Sequence, residues 1–96
     1  MPQYLVRVEL FGASSENYER LHANMDAIGI GREIVFAGGV KHLMPAGTYF
    51  GSSTLGVESV RDRVKTFANP LSPDRSAAIF ACQVKDGEWS AFLYPA

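Results

Sequence analysis

The feature that most constrains the fold is the stretch at residues 4–11, YLVRVELF. Its even positions are all apolar: Tyr4, Val6, Val8 and Leu10. Its odd positions carry two charges flanked by two apolar side chains: Leu5, Arg7, Glu9 and Phe11. This alternation predicts a strand with one face in a core and a mixed second face. What covers the mixed face decides most of what the protein can do.

Length and composition narrow the classes of protein. The 96-residue chain is expected to form one domain spanning residues 1–96. A domain of this size has a thin core, which favours oligomerisation. The net charge of −1 gives no global basic field for nucleic acid or anionic lipid, so such binding would need a local patch. Without a signal segment or an apolar run of ~18 residues, we expect a cytoplasmic protein that does not enter a membrane.

Two segments repeat apolar residues at i, i+3, i+7 and i+10, the spacing of an amphipathic helix. The first helix is expected at about residues 15–28, capped by Ser14 or Ser15, with its stripe at Tyr18, Leu21, Met25 and Ile28. The second is expected to be capped within residues 52–54 and to end before Pro70, with its stripe at Val57, Val60, Val64 and Phe67. Each stripe must be buried against another element.

The other β-forming segments are residues 31–36, 40–43, 47–51, 76–84 and 89–94. The turn Ala37-Gly38-Gly39 separates the first two segments. The sequence leaves open whether 40–43 and 47–51 form one bent strand or two. Asp86-Gly87 is the strongest hairpin signal in the chain and predicts that 76–84 pairs with 89–94.

The resulting order is β-α-β-β-α-β-β, which predicts an α+β fold. Two helices with matched stripes would bury them on one face of an antiparallel sheet. A ferredoxin-like β-α-β-β-α-β arrangement does this with the first strand at the centre of the sheet. The strand after Asp86-Gly87 would be an additional C-terminal strand.

The mixed face of the first strand is the first candidate site. Arg7 and Glu9 are two residues apart and point to the same side. One interpretation is a polar site on an open sheet, like those that bind nucleic acid. The alternative is an ordinary cross-strand ion pair, with Leu5 and Phe11 covered by a partner molecule.

The two histidines and the cysteine support few catalytic schemes. His22 lies at the edge of the first helical stripe and reads as a boundary residue. His42, beside Lys41 and near the glycine turn, is the better candidate for proton transfer or phosphate contact. Cys82 has apolar neighbours and is expected to be a core thiol. No histidine or cysteine stands at metal-ligand spacing, so we expect neither a metal site nor a cofactor.

The C-terminal segment carries aromatic side chains on both faces: Trp89, Phe92 and Tyr94. A terminal strand with no helix left to cover it exposes an edge and an apolar surface. Such features usually mark interfaces. We therefore expect a homodimer whose interface includes these three residues.

Four segments resemble a group of small bacterial proteins: residues 4–10, residues 18–22, residues 43–49 and residues 88–93. This group is similar in layout to the GhoS-type endoribonuclease antitoxins of type V toxin–antitoxin systems and to the small CRISPR-associated ferredoxin-like endoribonucleases. The resemblance implies a ferredoxin-like dimer that binds or cleaves RNA. The CRISPR-associated family has an aspartate at the end of its first strand, and Glu9 would stand in for it here.

Three hypotheses follow. The first is an RNA- or DNA-associated protein, with an endoribonuclease activity as its catalytic form. Its catalytic residues would be Glu9 and His42, and its nucleic-acid contacts Arg7, Arg32 and Lys41. The second is a non-catalytic module that binds a protein partner through its sheet face or last strand. The third is a small-molecule sensor or isomerase-type enzyme, with a pocket between the sheet and a dimer mate.

Overall fold

A computed structural model describes residues 1–36 and 38–96, which form an α+β fold with two helices and two antiparallel sheets. The elements in chain order are β1 (Gln3–Phe11), α1 (Ser15–Ala27), β2 (Ile30–Gly31), β3 (Glu33–Val35), β4 (Lys41–Leu43), β5 (Thr48–Ser52), α2 (Val57–Ala68), a 3-10 turn (Asn69–Leu71), β6 (Arg75–Val84) and β7 (Tyr94–Pro95). In the described part of the chain, neither helix is long and apolar enough to cross a membrane.

The first sheet has four strands in the order β2-β5-β1-β6. β1 therefore lies between β5 and β6 and is antiparallel to both. Val6 is opposite Tyr49 on one side and Ala81 on the other. Arg7 is opposite Thr48 and Phe80. The even residues of β1 thus share a face with Tyr49, and the odd residues share the opposite, outer face with Phe80.

The core lies between the even face of β1 and the two helices, as predicted. Tyr4, Val6, Val8 and Leu10 are all buried. The helices and flanking strands complete the core cluster with Leu21, Met25, Ile30, Tyr49, Val60, Val64, Ala68 and Leu71. Val57, expected in the stripe of the second helix, is 37% exposed, while Ala68 at the other end of α2 is buried. The stripe of α2 is therefore shifted toward its C-terminus.

The two helices begin differently. Ser14 caps α1 as expected, and its side chain accepts a hydrogen bond from the amide of Asn17 at 3.2 Å. The expected cap of α2 within residues 52–54 is wrong. That helix begins at Val57 with Gly56 as its N-cap, and the hydroxyl of Ser53 instead accepts a bond from the Leu55 amide.

The predicted strand at 31–36 is two strands in different sheets. β2 pairs with β5, whereas β3 pairs with β4 in the second sheet, whose order is β3-β4-β7. Segments 40–43 and 47–51 are likewise two strands in different sheets. Gly38 and Gly39 have positive φ in the β3–β4 connection. Ala37, the first residue of the predicted turn, lies outside the described residues.

The predicted hairpin between 76–84 and 89–94 is wrong. The turn itself forms, with Gly87 at φ 74° and the Glu88 amide bonded to the Lys85 carbonyl at 2.9 Å. The chain then leaves β6, and its last strand β7 pairs with β4. Aromatic packing accompanies this path: Trp89, although 37% exposed, lies against Phe36 and Phe50, with ring centroids 6.2 and 5.4 Å away.

Candidate functional site

The C-terminal segment divides the outer face of the first sheet into two halves. We call the part around Leu5, Phe50 and Val84 the covered half. These residues and Trp89 line an apolar cavity of about 160 Å³ that also touches Ile34 and Met44 of the β3–β4 region. Leu5 is therefore covered by its own chain. Cys82 lies opposite Leu5 and is half-buried, so its predicted place in the core is wrong.

The remaining part of the outer face is open, and we call Arg7, Glu9, Ala78 and Phe80 the open half. Arg7 lies opposite Phe80, and Glu9 lies opposite Ala78. All four are exposed, Phe80 to 64%. Together with Val8 and Ile79 they line a shallow depression of about 420 Å³. The open half thus combines a cation, a carboxylate and an exposed aromatic ring.

A cation–π contact lies at the end of β1 next to the open half. The guanidinium carbon of Arg75 is 4.0 Å from the centroid of the Phe11 ring. The register between β1 and β6 shifts between Glu9 and Phe11, which brings Arg75 opposite Phe11. Phe11 is therefore covered by a residue of its own chain, and Arg75 adds a second cation at this end of the sheet.

The alternative of a cross-strand ion pair at Arg7 and Glu9 finds no support. Among the described residues, the ion pairs join Arg20 to Glu16 and Arg61 to Asp62. Arg7 and Glu9 are exposed on β1 and belong to neither pair. Their charges are accordingly available to a ligand.

Two of the other predicted site residues lie in a different sheet from Arg7 and Glu9. Lys41 and His42 are on β4 in the second sheet, where adjacent residues point to opposite faces. Lys41 is exposed. The His42 ring packs on Phe36 at 4.2 Å, and its Nδ1 donates to the Val40 carbonyl at 3.1 Å. His42 thus has a structural partner at one nitrogen.

Arg32 lies between β2 and β3 and is half-buried. Its positive charge contributes to lowering the pKa of His22 and acts in the same direction on Tyr49. Arg32 is therefore associated with the α1 side of the molecule. Of the predicted nucleic-acid contacts, Arg7 lies on β1 of the first sheet, Lys41 on β4 of the second, and Arg32 between β2 and β3.

Sequence reasoning missed a polar contact between His22 and Tyr49. Tyr49 is fully buried, and its hydroxyl lies 2.8 Å from Nδ1 of His22. Burial is the main cause that lowers the pKa of His22, and burial also raises the pKa of Tyr49 to about 12. We therefore assign the Tyr49 hydroxyl as donor to a neutral imidazole. The sole sequence signal was a histidine beside Leu21 in the apolar stripe.

His22 also faces a cleft at the end of β5. The cleft has a volume of about 370 Å³ and is lined by Arg7, Val8, Glu9, Tyr18, His22, Ala46 and Gly47. The Tyr18 hydroxyl there accepts a hydrogen bond from the Leu10 amide at 3.1 Å. Beyond the end of β5, the Tyr18 hydroxyl therefore gives the Leu10 amide the hydrogen-bond acceptor that a neighbouring strand would otherwise supply.

The residues predicted for a dimer interface fall into two environments. Trp89 packs against its own chain, as described above. Phe92 and Tyr94 are 84% and 73% exposed and contact each other edge to face. Tyr94 and Glu33 both lie opposite Leu43. The exposed Val35 is two residues from Glu33 in β3 and therefore points to the same side of the sheet. We call Val35, Leu43, Phe92 and Tyr94 the second-sheet patch.

Comparison with known proteins adds no family. No protein-family model matches the sequence, and no curated protein matches it at a significant level. The resemblance to GhoS-type antitoxins and CRISPR-associated endoribonucleases stays a prediction. Functional inference for this chain therefore rests on the geometry of the open half and the second-sheet patch.

Proposed function

We propose that this protein is a small ferredoxin-like RNA-binding protein that holds single-stranded RNA on the open half of its first sheet. The strands of that sheet in chain order are β1, β2, β5 and β6, arranged as β2-β5-β1-β6. Helices follow the first and third of them. This alternation supports a ferredoxin-like arrangement.

The observation that carries the proposal is the exposed Phe80 ring directly opposite Arg7. Sheet proteins that bind single strands stack unpaired bases on exposed aromatic side chains. Each stacked base contributes about 1–3 kcal/mol. A guanidinium beside the ring supplies a charge-assisted contact to the phosphate that follows the stacked base. Arg75 at the end of the same face offers a second phosphate contact.

The two predicted catalytic residues lie on different sheets. Acid–base cleavage of RNA needs two proton-transfer groups near one phosphate. Glu9 lies on β1 in the first sheet, and His42 lies on β4 in the second. A ribonuclease reaction through this pair is therefore not part of the proposal.

Charge sets the expected strength of binding. With a net charge of −1 the protein has little long-range attraction for RNA. Arg7 and Arg75 would neutralise about two phosphates, so the salt dependence should be shallow, with a slope near −0.7 per phosphate on a double-logarithmic plot. Stacking on Phe80 then supplies most of the affinity.

Titration of a fluorescent single-stranded RNA of about 12 nucleotides at low salt tests the proposal. Phe80→Ala should weaken binding by about 5- to 150-fold, the equivalent of the about 1–3 kcal/mol from one stacked base. Phe92→Ala is the matched control, because Phe92 is also exposed, to 84% against 64% for Phe80, but lies outside the open half. DNA of the same sequence shows whether the 2′-hydroxyl matters, and a gel of the bound RNA reports any cleavage. Equal affinities for the wild type and Phe80→Ala would refute the proposal.

A second candidate function, a protein-interaction module, is supported by the second-sheet patch. Large apolar side chains that lie together on a protein surface usually mark an interface. Here Leu43, Phe92 and Tyr94 are all exposed, with Leu43 directly opposite Tyr94.

Co-purification from cells followed by mass spectrometry tests this candidate. A partner recovered with the wild type and with Phe80→Ser, but lost with Tyr94→Ser, would place the contact on the second-sheet patch. Recovery of the same proteins with all three would show non-specific binding and reject the candidate.

A further inference from the structure

β6 is the longest strand edge without a partner. It has ten residues and, among the described residues, pairs with β1 alone. The other outer strands are two or three residues long. Pro95 in β7 and Glu33 in β3 also discourage pairing at their edges.

After Arg75 and the register shift beside it, β6 lacks the charges and prolines that normally protect an edge. Residues 76–84 contain no charged residue and no proline. Natural proteins usually place Lys, Pro or a bulge on such strands because an unprotected edge pairs with another chain. An edge of this length and composition therefore indicates a strand that is covered by a partner.

We propose that two copies of this chain pair their β6 strands antiparallel across a two-fold axis at Ala81, joining their four-stranded sheets into one continuous sheet. A second copy fits this edge because an isologous contact needs a self-complementary surface. The groove between α2 and the edge is lined by Arg61, Asp62 and Lys65 together with Ala77 and Ile79. Each groove carries two cations and one carboxylate, a net charge of +1, so Asp62 offsets only part of the repulsion between two identical grooves.

The direction of the backbone groups identifies which residues pair. The Val8 amide donates to Gly47 at 2.8 Å, on the side of β1 away from β6. Val8 and its partner Ile79 are therefore a pair without mutual hydrogen bonds, so the polar groups of Ile79 point away from β1. The Ala77 amide agrees, since it bonds to the Asn69 side chain at 3.0 Å. By alternation, Ala81 and Gln83 also point to the free edge.

An axis at Ala81 lets the outward backbone groups of Ile79, Ala81 and Gln83 pair with one another across the two copies. In that register Ala81 pairs with its own counterpart, and Ile79 pairs with Gln83 of the other copy. Within residues 1–36 and 38–96, none of these backbone groups has another hydrogen-bond partner. An axis at Phe80 would instead pair Gln83 with Ala77, whose amide is already bonded to Asn69.

The pairing completes the site on which the proposed function rests. With the axis at Ala81, the Phe80 side chains of the two copies are diagonal neighbours on the outer face, with about 7–8 Å between their Cα atoms. Each ring has the Arg7 of its own copy on its far side. The dimer therefore offers two adjacent stacking rings flanked by two guanidinium groups, and a single copy offers half of this surface.

Size-exclusion chromatography with light scattering tests the pairing without RNA. The wild type should have twice the mass of one chain. Ala81→Pro removes an outward amide, a change that edge strands tolerate, and should give a folded monomer with an unchanged circular dichroism spectrum. A monomeric wild type at high concentration would overturn the proposal.

Disulfide cross-linking tests the register and does not depend on the proline variant. Phe80 would face Cys82 of the other copy in a non-hydrogen-bonded pair, with Cα atoms about 4.5 Å apart, within the range of a disulfide. Under mild oxidation Phe80→Cys should therefore give a covalent dimer, and adding Cys82→Ser should abolish it. Ala78→Cys, on the same strand and face, would lie opposite Val84 and should not cross-link. Cross-linking that survives Cys82→Ser would overturn the register.

The RNA titration then tests the composite surface. Ala81→Pro leaves Arg7 and Phe80 in place and should weaken RNA binding by about tenfold or more, because the second ring is lost. Unchanged affinity in the monomer would refute the shared surface. A dimer that binds no RNA would refute the proposed function and leave the strand pairing intact.

Discussion

The hydroxyl of Tyr49 and Nδ1 of His22 are 2.8 Å apart, and this contact ties β5 to α1. Tyr49 has no exposed surface, whereas His22 is half-buried at the rim of the core. A buried hydroxyl without a partner would be costly, so His22 satisfies a group that the fold has removed from water. The contact depends on a neutral imidazole, which makes it sensitive to acid.

Stability should fall as the pH is lowered. The unfolded chain binds a proton at His22 with a pKa near 6.5, and burial lowers the pKa of this residue in the folded state. The stabilisation is therefore complete above the unfolded value and is lost as the pH falls through the folded value. Urea unfolding between about pH 7.5 and about pH 5 should show this decline, and His22→Gln should flatten it.

The matched control for the pH prediction is His42→Gln. His42 contacts Phe36 and the Val40 carbonyl on the other sheet, so this change leaves the His22–Tyr49 contact intact. Its decline with acid should follow that of the wild type over the range where His22 titrates. An equal loss of pH dependence in both variants would show that His22 is not the titrating group.

Tyr4→Phe should destabilise the fold by about 1–2 kcal/mol. The Tyr4 hydroxyl donates to the carbonyl of Leu55, which links β1 to the loop before α2. Removing the donor leaves that carbonyl without this bond, while the ring still fills the core. Chemical denaturation measures the loss. Tyr94→Phe, at an exposed hydroxyl, should change stability by less than about 0.5 kcal/mol.

Gly51→Ala should destabilise the fold by about 2 kcal/mol or more, because the site has no room for a methyl group. A Cβ at this position would overlap the carbonyl oxygen of Gly29, next to β2. Gly56→Ala is the control, since a Cβ there would meet no heavy atom within 4 Å. Its cost should stay below about 1 kcal/mol. Similar melting temperatures for the two variants would contradict this account of the β2–β5 contact.

Ser72→Ala should cost about 1–3 kcal/mol. Ser72 is buried, and its Oγ accepts from the Phe11 amide at 2.8 Å and donates to the Arg75 carbonyl at 2.6 Å. It therefore bridges β1 and β6 where their register shifts. The exposed Ser76 provides the comparison, because Ser76→Ala should be nearly neutral in the same thermal unfolding experiment.

Local patterns were sufficient for the core of the fold. The alternation at residues 4–11 predicted which side chains of β1 are buried. The helical spacing predicted α1 at 15–28, close to the observed Ser15–Ala27. In both cases the signal is the position of apolar residues within one element, and burial of that face decides the structure.

Non-local contacts account for the errors. Asp86-Gly87 predicted a turn, which forms, but a turn signal does not specify which strand the next segment joins. Trp89 packs against Phe50 on the outer face, and the chain continues from there to the last strand, which pairs with β4. The division of the predicted strand 31–36 at Arg32 is also a non-local effect. β3 belongs to the second sheet because it pairs with β4.

The candidate site was predicted in part for the same reason. That Arg7 and Glu9 point to one side follows from their spacing. The position of Phe80 opposite Arg7 depends on the register between β1 and β6, which no local pattern contains. The contact between His22 and Tyr49 likewise joins residues from two distant elements.

The central position of β1 has a consequence for synthesis on the ribosome. Gln3–Phe11 emerges before both of its neighbours in the sheet, Thr48–Ser52 and Arg75–Val84. One hydrogen-bonding edge of β1 therefore stays unpaired until Arg75–Val84 has left the exit tunnel. Such long-range pairing slows folding, and meanwhile apolar surface and unpaired strand edges are exposed to other nascent chains. Chaperones that bind short apolar segments should accordingly meet this protein at its N-terminal strand.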